Sequence, residues 1–308
     1  MTSNLFIFFA AFWLVINGAT MATKYAARLA EGFRLSKYLV GFVVVAIISI
    51  LPETFIAINS AVENLSSFGL GILFGSNIVD LTLVFALIIF WAGREIKVES
   101  KILKNHVVYP FFLLLPLVLG LNGNFSRLEG FALIIAGAAF YYMTLRGGLK
   151  NKETYSKNHR LQNFILLIFS MFILLFGSHF VVSSATNLAE FFKINPILIG
   201  MLVVGVGTAL PELFFSLKCV KRHDDSLAVG DILGTVLADA TIVVGLLALI
   251  NPFSFPLKII YVTGAFMVVA SFVLFYFLRS GRILTKKEGF LLLSFWVFFV
   301  LVEFFVNR

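Results

Sequence analysis

The sequence is poor in charged residues and in cysteine. Only 13% of its 308 residues are charged, against about 25% in an ordinary soluble domain. The single cysteine, Cys219, allows no internal disulfide bond and so says nothing about the redox compartment. No basic residue precedes the first apolar run. We therefore expect that run to be a retained helix and not a signal peptide.

Apolar residues dominate what is present. They make up 60% of the chain, 37 residues are Phe, and the mean hydropathy is +1.00. A soluble globule cannot bury that share of apolar surface, and a disordered or collagen-like chain is excluded. The apolar runs are continuous and do not alternate with polar residues, which disfavours a β-barrel. The predicted fold class is all-α, a polytopic membrane protein.

The apolar runs predict ten transmembrane helices, since one crossing needs about 20 apolar residues. Their predicted limits are 5–26, 38–60, 69–92, 105–121, 128–145, 162–185, 196–219, 227–250, 258–278 and 286–305. All but four of the 24 Lys and Arg residues follow the odd-numbered helices; the exceptions are Arg127, Lys193, Lys258 and Arg308. By the positive-inside rule, the chain is a multi-pass protein of the cell membrane with both termini outside.

The basic charge does not indicate a nucleic-acid partner. The formal net charge is +8, but it is spread over five short loops and forms no single patch. We therefore expect the lipid bilayer and inorganic cations as partners, no nucleic acid, and no obligate protein partner.

The sequence contains an internal repeat. Residues 41–80 align with residues 200–239 without a gap, at an offset of 159 that pairs Pro52-Glu53 with Pro211-Glu212. We interpret this as two five-helix repeats, residues 1–145 and 162–308, joined by a basic cytoplasmic loop at 146–161 within one transmembrane domain. Because five is an odd number of crossings, the second repeat enters the membrane from the opposite side, which gives an inverted topology.

Four acidic residues lie inside predicted helices: Glu53, Asp80, Glu212 and Asp239. Each costs about 2.5–3.5 kcal/mol near the bilayer centre, so an ionisable group there suggests function. In both repeats 27 residues separate the Glu from the Asp, and no Lys or Arg lies at their depth. Such hard oxygen ligands at the midplane suit Ca²⁺ or Na⁺. The alternative is that each acid is protonated and hydrogen-bonded to a neighbouring helix.

Two prolines predict helix breaks beside the glutamates. Pro52 and Pro211 have no amide hydrogen, so the carbonyls of Ile48 and Gly207 lose their helical partners. Non-helical backbone at this depth is tolerated where it lines a cavity, and broken helices hold coupling ions in repeat transporters. A plain kink is the alternative interpretation.

Hydroxyl groups recur four residues before the acids. Ser76 and Thr235 precede the aspartates and lie on the same helical face as them. Ser49 and Thr208 precede the glutamates and lie at the predicted breaks, where they offer side-chain or carbonyl oxygen. We predict that they complete the ligand shell, although Ser and Thr also bond to their own helix.

Other polar and small residues have less specific interpretations. The glycine pairs Gly71/Gly75 and Gly230/Gly234 predict close helix packing. Asp231 either lines the cytoplasmic entrance to the site or is a solvated acid at a helix end. His179 is expected to be a satisfied polar residue in the bundle, and the Phe-rich end of the tenth helix is expected to face lipid.

The duplicated segments resemble the signature of the cation/calcium antiporter superfamily, the sodium/calcium exchangers and their relatives. Those segments are Ile50-Leu51-Pro52-Glu53 and residues 207–212, each followed by Gly-Ser/Thr-x-x-x-Asp. The resemblance implies that Glu53 and Glu212 are central ligands of Ca²⁺ and Na⁺. It places Asp80, Asp239, Ser49, Thr208, Ser76 and Thr235 around them. It also implies alternating access, with helices 1 and 6 sliding against the rest of the bundle.

The chain departs from that signature at several positions. A serine of the usual motif is replaced by Ile50 in one copy and by Ala209 in the other. Ile48 stands where the second copy keeps Gly207, and Asp80 and Asp239 are both acidic where the exchangers often pair Asp with Asn. More charge and fewer neutral oxygens are compatible with H⁺ or K⁺ as the coupling ion.

The sequence thus predicts a secondary active antiporter that exchanges Ca²⁺ for Na⁺, with no cofactor. An H⁺- or K⁺-coupled exchanger of Ca²⁺ or another divalent cation is the main alternative. A cation channel fits less well, because channels build pores by oligomeric symmetry and need no inverted repeat. An intramembrane aspartyl protease using Asp231 and Asp239 is disfavoured because it has no use for the matching glutamates, so we expect no enzyme activity.

Overall fold

The computed structural model describes residues 2–30, 37–97, 108–147, 160–191, 193, 204–280 and 283–306, and this part of the chain is mostly helical. In chain order its helices are α1 (Thr2–Ala30), α2a (Lys37–Leu39, Val40–Val45 and Ala46–Ser49), α2b (Leu51–Val62), α3 (Ser66–Ala92), α4 (Tyr109–Asn122), α5 (Arg127–Gly147), α6 (Arg160–Phe191), α7a (Gly205–Thr208), α7b (Leu210–Lys221), α8 (Asp225–Ile250), α9 (Ile259–Gly264 and Ala265–Ser280) and α10 (Lys286–Val306).

Within the described residues, five helices are long and apolar enough to cross a membrane: α3, α5, α8, α9 and α10. The α2a–α2b pair passes the same test as a single span bent by 43°. Shorter apolar helical stretches are Leu5–Gly18, Tyr109–Asn122 and Leu161–Ser170. All ten stretches predicted from hydropathy are helical where they are described; residues 105–107 and 196–203 lie outside the described part.

Helices α3 and α8 form the centre of the bundle and run in opposite directions. Both are buried along nearly their whole length. At one end of the bundle, Arg94 after α3 forms two hydrogen bonds of 2.7 Å with Asp225 at the start of α8. At the other end, the Asn251 amide after α8 donates to the Ser66 hydroxyl at the start of α3 (3.3 Å). We call these the Arg94 end and the Asn251 end.

Two short antiparallel strand pairs close the ends of the bundle. At the Arg94 end, β1 (Ile96–Lys97) pairs with β4 (Ile283–Leu284). At the Asn251 end, β2 (Asn124–Phe125) pairs with β3 (Phe253–Ser254). These pairs tie α3 to α10 and α5 to α8. Both strand pairs lie at the ends of the bundle, and its middle is helical.

The outer helices expose aromatic side chains to the surroundings. Helices α1 and α6 pack along each other, and Trp13, Phe172 and Phe176 are more than half exposed on them. On α10, Phe304 and Phe305 are also exposed, as the sequence predicted for its Phe-rich end. An apolar outer surface of this kind is what lipid requires.

Glycines bring α8 and α2a into close contact. Tyr38 and Phe42 on α2a pass so near Gly230 and Gly234 on α8 that a β-carbon at either glycine would overlap their backbone oxygens. The packing role predicted for this glycine pair is confirmed. The contact places the backbone of α8 against the half-helix that leads into the first predicted break.

Candidate cation site

Both predicted helix breaks are present and lie two residues before the prolines. Ile50 separates α2a from α2b, with φ −71° and ψ −2°. Ala209 separates α7a from α7b with nearly the same angles, φ −73° and ψ −6°. Each proline lies in the first turn of the following half-helix, where its missing amide hydrogen costs no helical bond. Glu53 and Glu212 therefore lie in the first turns of α2b and α7b.

Helix α1 packs directly on the second break. A β-carbon added to Gly207 would lie inside the ring of Phe12. The first repeat has the larger Ile48 at the matching position. The glycine in the second copy therefore makes room for an aromatic ring from α1 beside the half-helix that carries Glu212.

The two aspartates begin matching turns of π-helix. A π-helical segment spans Asp80–Val84 in α3, and another spans Asp239–Val243 in α8. The two segments are related by the repeat offset of 159 residues. Such turns are rare and occur frequently at functional sites. The helical spacing of the sequence gave no signal for them.

The four acids are buried and lack partners for most of their oxygens. Glu53, Asp80, Glu212 and Asp239 are each 1% exposed or less. Among the described residues, Oε2 of Glu53 and both carboxylate oxygens of the other three acids accept no hydrogen bond. A buried polar group without a partner costs about 1–3 kcal/mol, and a charged group costs more. Protonation of the carboxylates or a bound cation would offset this cost.

The carboxylates of the two repeats lie close enough to affect one another. Glu53 and Asp80 each interact electrostatically with both Glu212 and Asp239, and with each other. Glu53 also interacts with the side chain of Thr208 from the opposite repeat. The fold thus brings all four acids predicted from the sequence into one buried region.

The carboxylates alone do not form a compact metal-binding cage. Among the residues that the structure describes, no three His, Cys, Asp or Glu side chains lie close enough together to hold a metal ion. A cation in this region would take part of its oxygens from hydroxyls, backbone carbonyls or water, as Ca²⁺ commonly does.

The four predicted hydroxyls are all buried but make different contacts. Ser76 donates to the carbonyl of Leu73 at 3.1 Å and Thr208 to that of Gly205 at 3.2 Å, both within their own helices. Ser49 donates to Asp231 at 3.0 Å. Thr235 has no hydrogen-bond partner within the described part of the chain. Thr235 thus differs from the other three hydroxyls, each of which donates a hydrogen bond.

Asp231 is a fifth buried carboxylate in the same region. Its exposure is 0%, so the interpretation as a solvated helix-end acid is wrong. Burial follows from its place two turns inside α8, against α2a. Its position four residues before Thr235 and eight before Asp239 puts all three on one helical face, which is the signal that could have identified it.

Two tyrosines support α8 next to the site. The Tyr109 hydroxyl donates to the carbonyl of Leu233 at 2.7 Å, and the Tyr141 hydroxyl to that of Gly234 at 2.8 Å. Both also interact electrostatically with Asp239. Nothing in the local sequence around these tyrosines distinguishes them from ordinary membrane-helix aromatics, so sequence reasoning missed them.

His179 lies apart from this region. Its side chain is half exposed, and Nδ1 lies 3.3 Å from a carboxylate oxygen of Glu63 at the end of α2b. The expected satisfied polar contact is present, but on the surface of the bundle and not within it.

Comparison with known families decides the classification. The sequence matches the family described as "Sodium/calcium exchanger protein" over residues 3–146 and 162–305. The chain belongs to the sodium/calcium exchanger family. The expectation from the duplicated Pro-Glu motif is confirmed, and the chain is a membrane-embedded ion transporter of the calcium/sodium antiporter class.

Individual relatives cover nearly the whole chain. An uncharacterised membrane protein of Methanocaldococcus jannaschii is 27% identical over 94% of this chain and 92% of its own. The sodium/calcium exchanger MaX1 of Methanosarcina acetivorans is 22% identical over 99% of both chains. A solved structure of the sodium-calcium exchanger NCX_Mj, soaked with Na⁺ and Sr²⁺, superposes with a TM-score of 0.73 at 25% identity, covering 96% of this chain and 97% of that one.

Proposed function

We propose that this protein is a secondary active antiporter that exchanges Ca²⁺ for Na⁺ at one site between its two repeats. The observation that carries the proposal is the buried group of four acids, one Glu–Asp pair from each repeat, whose carboxylate oxygens are mostly without partners. Hard, anionic oxygens of this kind suit Ca²⁺ and Na⁺, with hydroxyls, backbone carbonyls or water completing the shell. The names of MaX1 and NCX_Mj agree with this pair of ions.

In this proposal Glu53 and Glu212 are the central ligands, because each lies in the first turn after a helix break. Asp80 and Asp239 complete the anionic part of the shell from the π-helical turns of α3 and α8. Ser49, Ser76, Thr208 and Thr235 supply neutral oxygens. The two glutamates come from the interrupted helices α2 and α7, and the two aspartates come from the continuous helices α3 and α8. Each repeat thus contributes one Glu and one Asp, which makes the site close to symmetric.

Ten crossings in two inverted repeats, with both termini outside, give this site its place at the bilayer midplane. The opposite directions of α3 and α8 support the inversion, since these helices are the matching third members of the two repeats. The basic loops after the odd-numbered helices then face the cytoplasm, which puts the Arg94 end inside and the Asn251 end outside.

Transport proceeds by alternating access, with α1 and α6 moving against the rest of the bundle. These two helices pack along each other and against α2b. Hydrogen bonds hold α3 and α8 together at both ends, from Arg94 to Asp225 and from Asn251 to Ser66. A sliding α1–α6 pair over a fixed α3–α8 core would open the site to either side without breaking those hydrogen bonds.

Exchange, as opposed to leak, follows from electrostatics. Several ionised carboxylates are costly to keep together in a low-dielectric interior. The empty carrier therefore changes orientation slowly, and a bound cation is needed to neutralise the site before it moves. Uptake of one ion thus becomes conditional on release of another.

A second candidate is an exchanger coupled to H⁺ or K⁺. Two neutral oxygens of the usual signature are absent, at Ile50 and Ala209, and Asp80 and Asp239 are both acidic where the signature often has one Asn. This composition removes Na⁺ ligands and adds a group that can bind a proton.

The test is ⁴⁵Ca²⁺ uptake into liposomes containing the purified protein. We expect saturable uptake that requires an opposing Na⁺ gradient. Dependence on a K⁺ or pH gradient would support the second candidate, and uptake that needs no counter-ion gradient would contradict antiport.

Two substitutions locate the site in the same assay. Glu53→Gln or Glu212→Gln should abolish uptake while the protein remains folded. Glu129→Gln is the matched control, because Glu129 lies at the start of α5, where it accepts hydrogen bonds from Ser126. Near-normal uptake in both site variants would refute the proposed ligands.

A further inference from the structure

The face of α8 that carries Asp239 differs in charge from the matching face of α3 at one position. On α8, Asp231, Thr235 and Asp239 follow one another at four-residue intervals. The matching positions on α3 are Ile72, Ser76 and Asp80. Ile72 is buried in an apolar cluster that includes Phe8, Val182 and Val204. A carboxylate therefore flanks the site on the side of the Arg94 end, and an apolar side chain flanks it on the other.

Asp231 is held in place by packing and by one hydrogen bond. Its exposure is 0%, and its backbone nitrogen lies against Gly41 of α2a, where a β-carbon would approach it to 3.0 Å. Oδ1 accepts the Ser49 hydroxyl at 3.0 Å. Oδ2 has no partner among the described residues. One oxygen thus fixes the side chain, and the other remains available.

The charge of Asp231 reaches the proposed ligands. It interacts electrostatically with both Asp80 and Glu212. At 1.5 Å per residue, Asp231 lies about 6 Å along the helix axis from Thr235 and about 12 Å from Asp239. At that range, in an interior of low dielectric, the charge that Asp231 carries when it is ionised changes the potential at the site substantially.

The hydrogen bond also determines how Ser49 can act. A serine hydroxyl has one hydrogen and two lone pairs. Because Ser49 gives its hydrogen to Asp231, only its lone pairs remain, and these bind cations. Ser49 is the last residue of α2a, and Glu53 lies in the first turn of α2b, on the other side of the break at Ile50. A carboxylate that orients a ligand in this way is the usual outer partner of a metal-binding group.

We propose that Asp231 is a specificity-determining residue of the cation site. Through Ser49 it positions one neutral oxygen ligand, and in its ionised form it favours a divalent over a monovalent ion. The inference rests on the proposed function, since it assigns a role at the same site.

The charge argument gives a quantitative relation between two ions. The electrostatic free energy of an ion in a fixed potential is proportional to the charge of that ion. Loss of the Asp231 charge therefore weakens Ca²⁺ binding by the square of the factor by which it weakens Na⁺ binding. A loss of packing or of folded protein has no reason to follow this relation.

The experiment measures both affinities on purified protein in detergent. Equilibrium binding of ⁴⁵Ca²⁺ gives the Kd for Ca²⁺, and competition by Na⁺ gives the half-saturating Na⁺ concentration. For Asp231→Asn we expect about a tenfold rise in the Ca²⁺ Kd and about a threefold rise in the Na⁺ value. The asparagine side chain still accepts the Ser49 hydrogen bond, so this variant isolates the charge.

Three further variants separate the two roles. Asp231→Glu keeps the charge and should keep the ratio of the two affinities, even if both change. Ser49→Ala removes the positioned oxygen and should weaken both ions. Glu288→Gln, at the start of α10, removes a charge distant from the site and should leave both values unchanged.

The outcomes distinguish this inference from the proposed function. If the unmodified protein binds no Ca²⁺, the proposed function fails. If it binds Ca²⁺, but Asp231→Asn leaves both affinities unchanged or lowers them by the same factor, only the role of Asp231 is overturned. Should Asp231→Asn not yield folded protein, a change of the affinity ratio in Asp231→Glu overturns it instead.

Discussion

At the scale of single residues, the decisive feature is a set of buried oxygens that accept no hydrogen bond. Most carboxylate oxygens of Glu53, Asp80, Glu212 and Asp239 are in this state among the described residues. Native proteins leave few buried polar groups unpaired, and each exception needs an explanation. Here the exceptions come from both repeats and gather in one region, which a structural role does not explain.

Thr235 gives a residue-scale prediction, because its buried hydroxyl has no partner in the described part of the chain. Thr235→Val has nearly the same shape, so the ion-free protein should keep its Tm or gain stability by up to about 1 kcal/mol. The rise in Tm caused by Ca²⁺ should shrink, since one ligand is lost. Thr235→Ser should retain that rise. A lower ion-free Tm with an unchanged Ca²⁺ response would contradict this role.

Arg94 and Asp225 give a second residue-scale prediction, about stability. The two hydrogen bonds to Asp225 raise the pKa of Arg94 above its ordinary value, so Arg94 stays protonated at any physiological pH. Asp225 also accepts the amide of Lys97. Asp225→Asn should lower the free energy of unfolding by about 1–3 kcal/mol, measured as a lower Tm in detergent. Glu95→Gln is the exposed neighbouring control, and equal Tm values for the two variants would refute the prediction.

At the scale of elements, sequence patterns predicted the helices and both breaks well. Hydropathy located the helices because an apolar stretch in lipid must satisfy its backbone hydrogen bonds internally, which a helix does. Pro52 marked the first break because a proline has no amide to donate. The π-helical turns at Asp80 and Asp239 were not predictable, since they depend on packing against other helices and leave no fixed spacing in the sequence.

The contact of α1 with α7a gives an element-scale prediction. Gly207→Ala places a β-carbon in the ring of Phe12, which should push α1 off the break and lower both Tm and exchange. Phe12→Ala removes the obstacle, so the double variant should recover part of the loss. Thermal unfolding and ⁴⁵Ca²⁺ uptake of the two single variants and the double variant give the coupling. Strictly additive losses would show that α1 does not press on Gly207.

At the scale of the whole molecule, the repeat explains why the site could be identified before the fold was known. A constant offset paired Glu53 with Glu212 and Asp80 with Asp239, and the fold brings these acids into one region. The repeat did not group Asp231 with the four acids, because its counterpart Ile72 carries no charge. Its burial and its bond with Ser49 are visible only in the fold.

The central claim is that both repeats contribute to a single cation site, and Ca²⁺ stoichiometry tests it most directly. Equilibrium dialysis of the purified protein with ⁴⁵Ca²⁺ should give one Ca²⁺ per chain. Either Glu53→Gln or Glu212→Gln alone should abolish that binding, because each removes a ligand from the same ion. Two Ca²⁺ per chain, with about half of the binding surviving in each single variant, would show two independent sites and contradict the account.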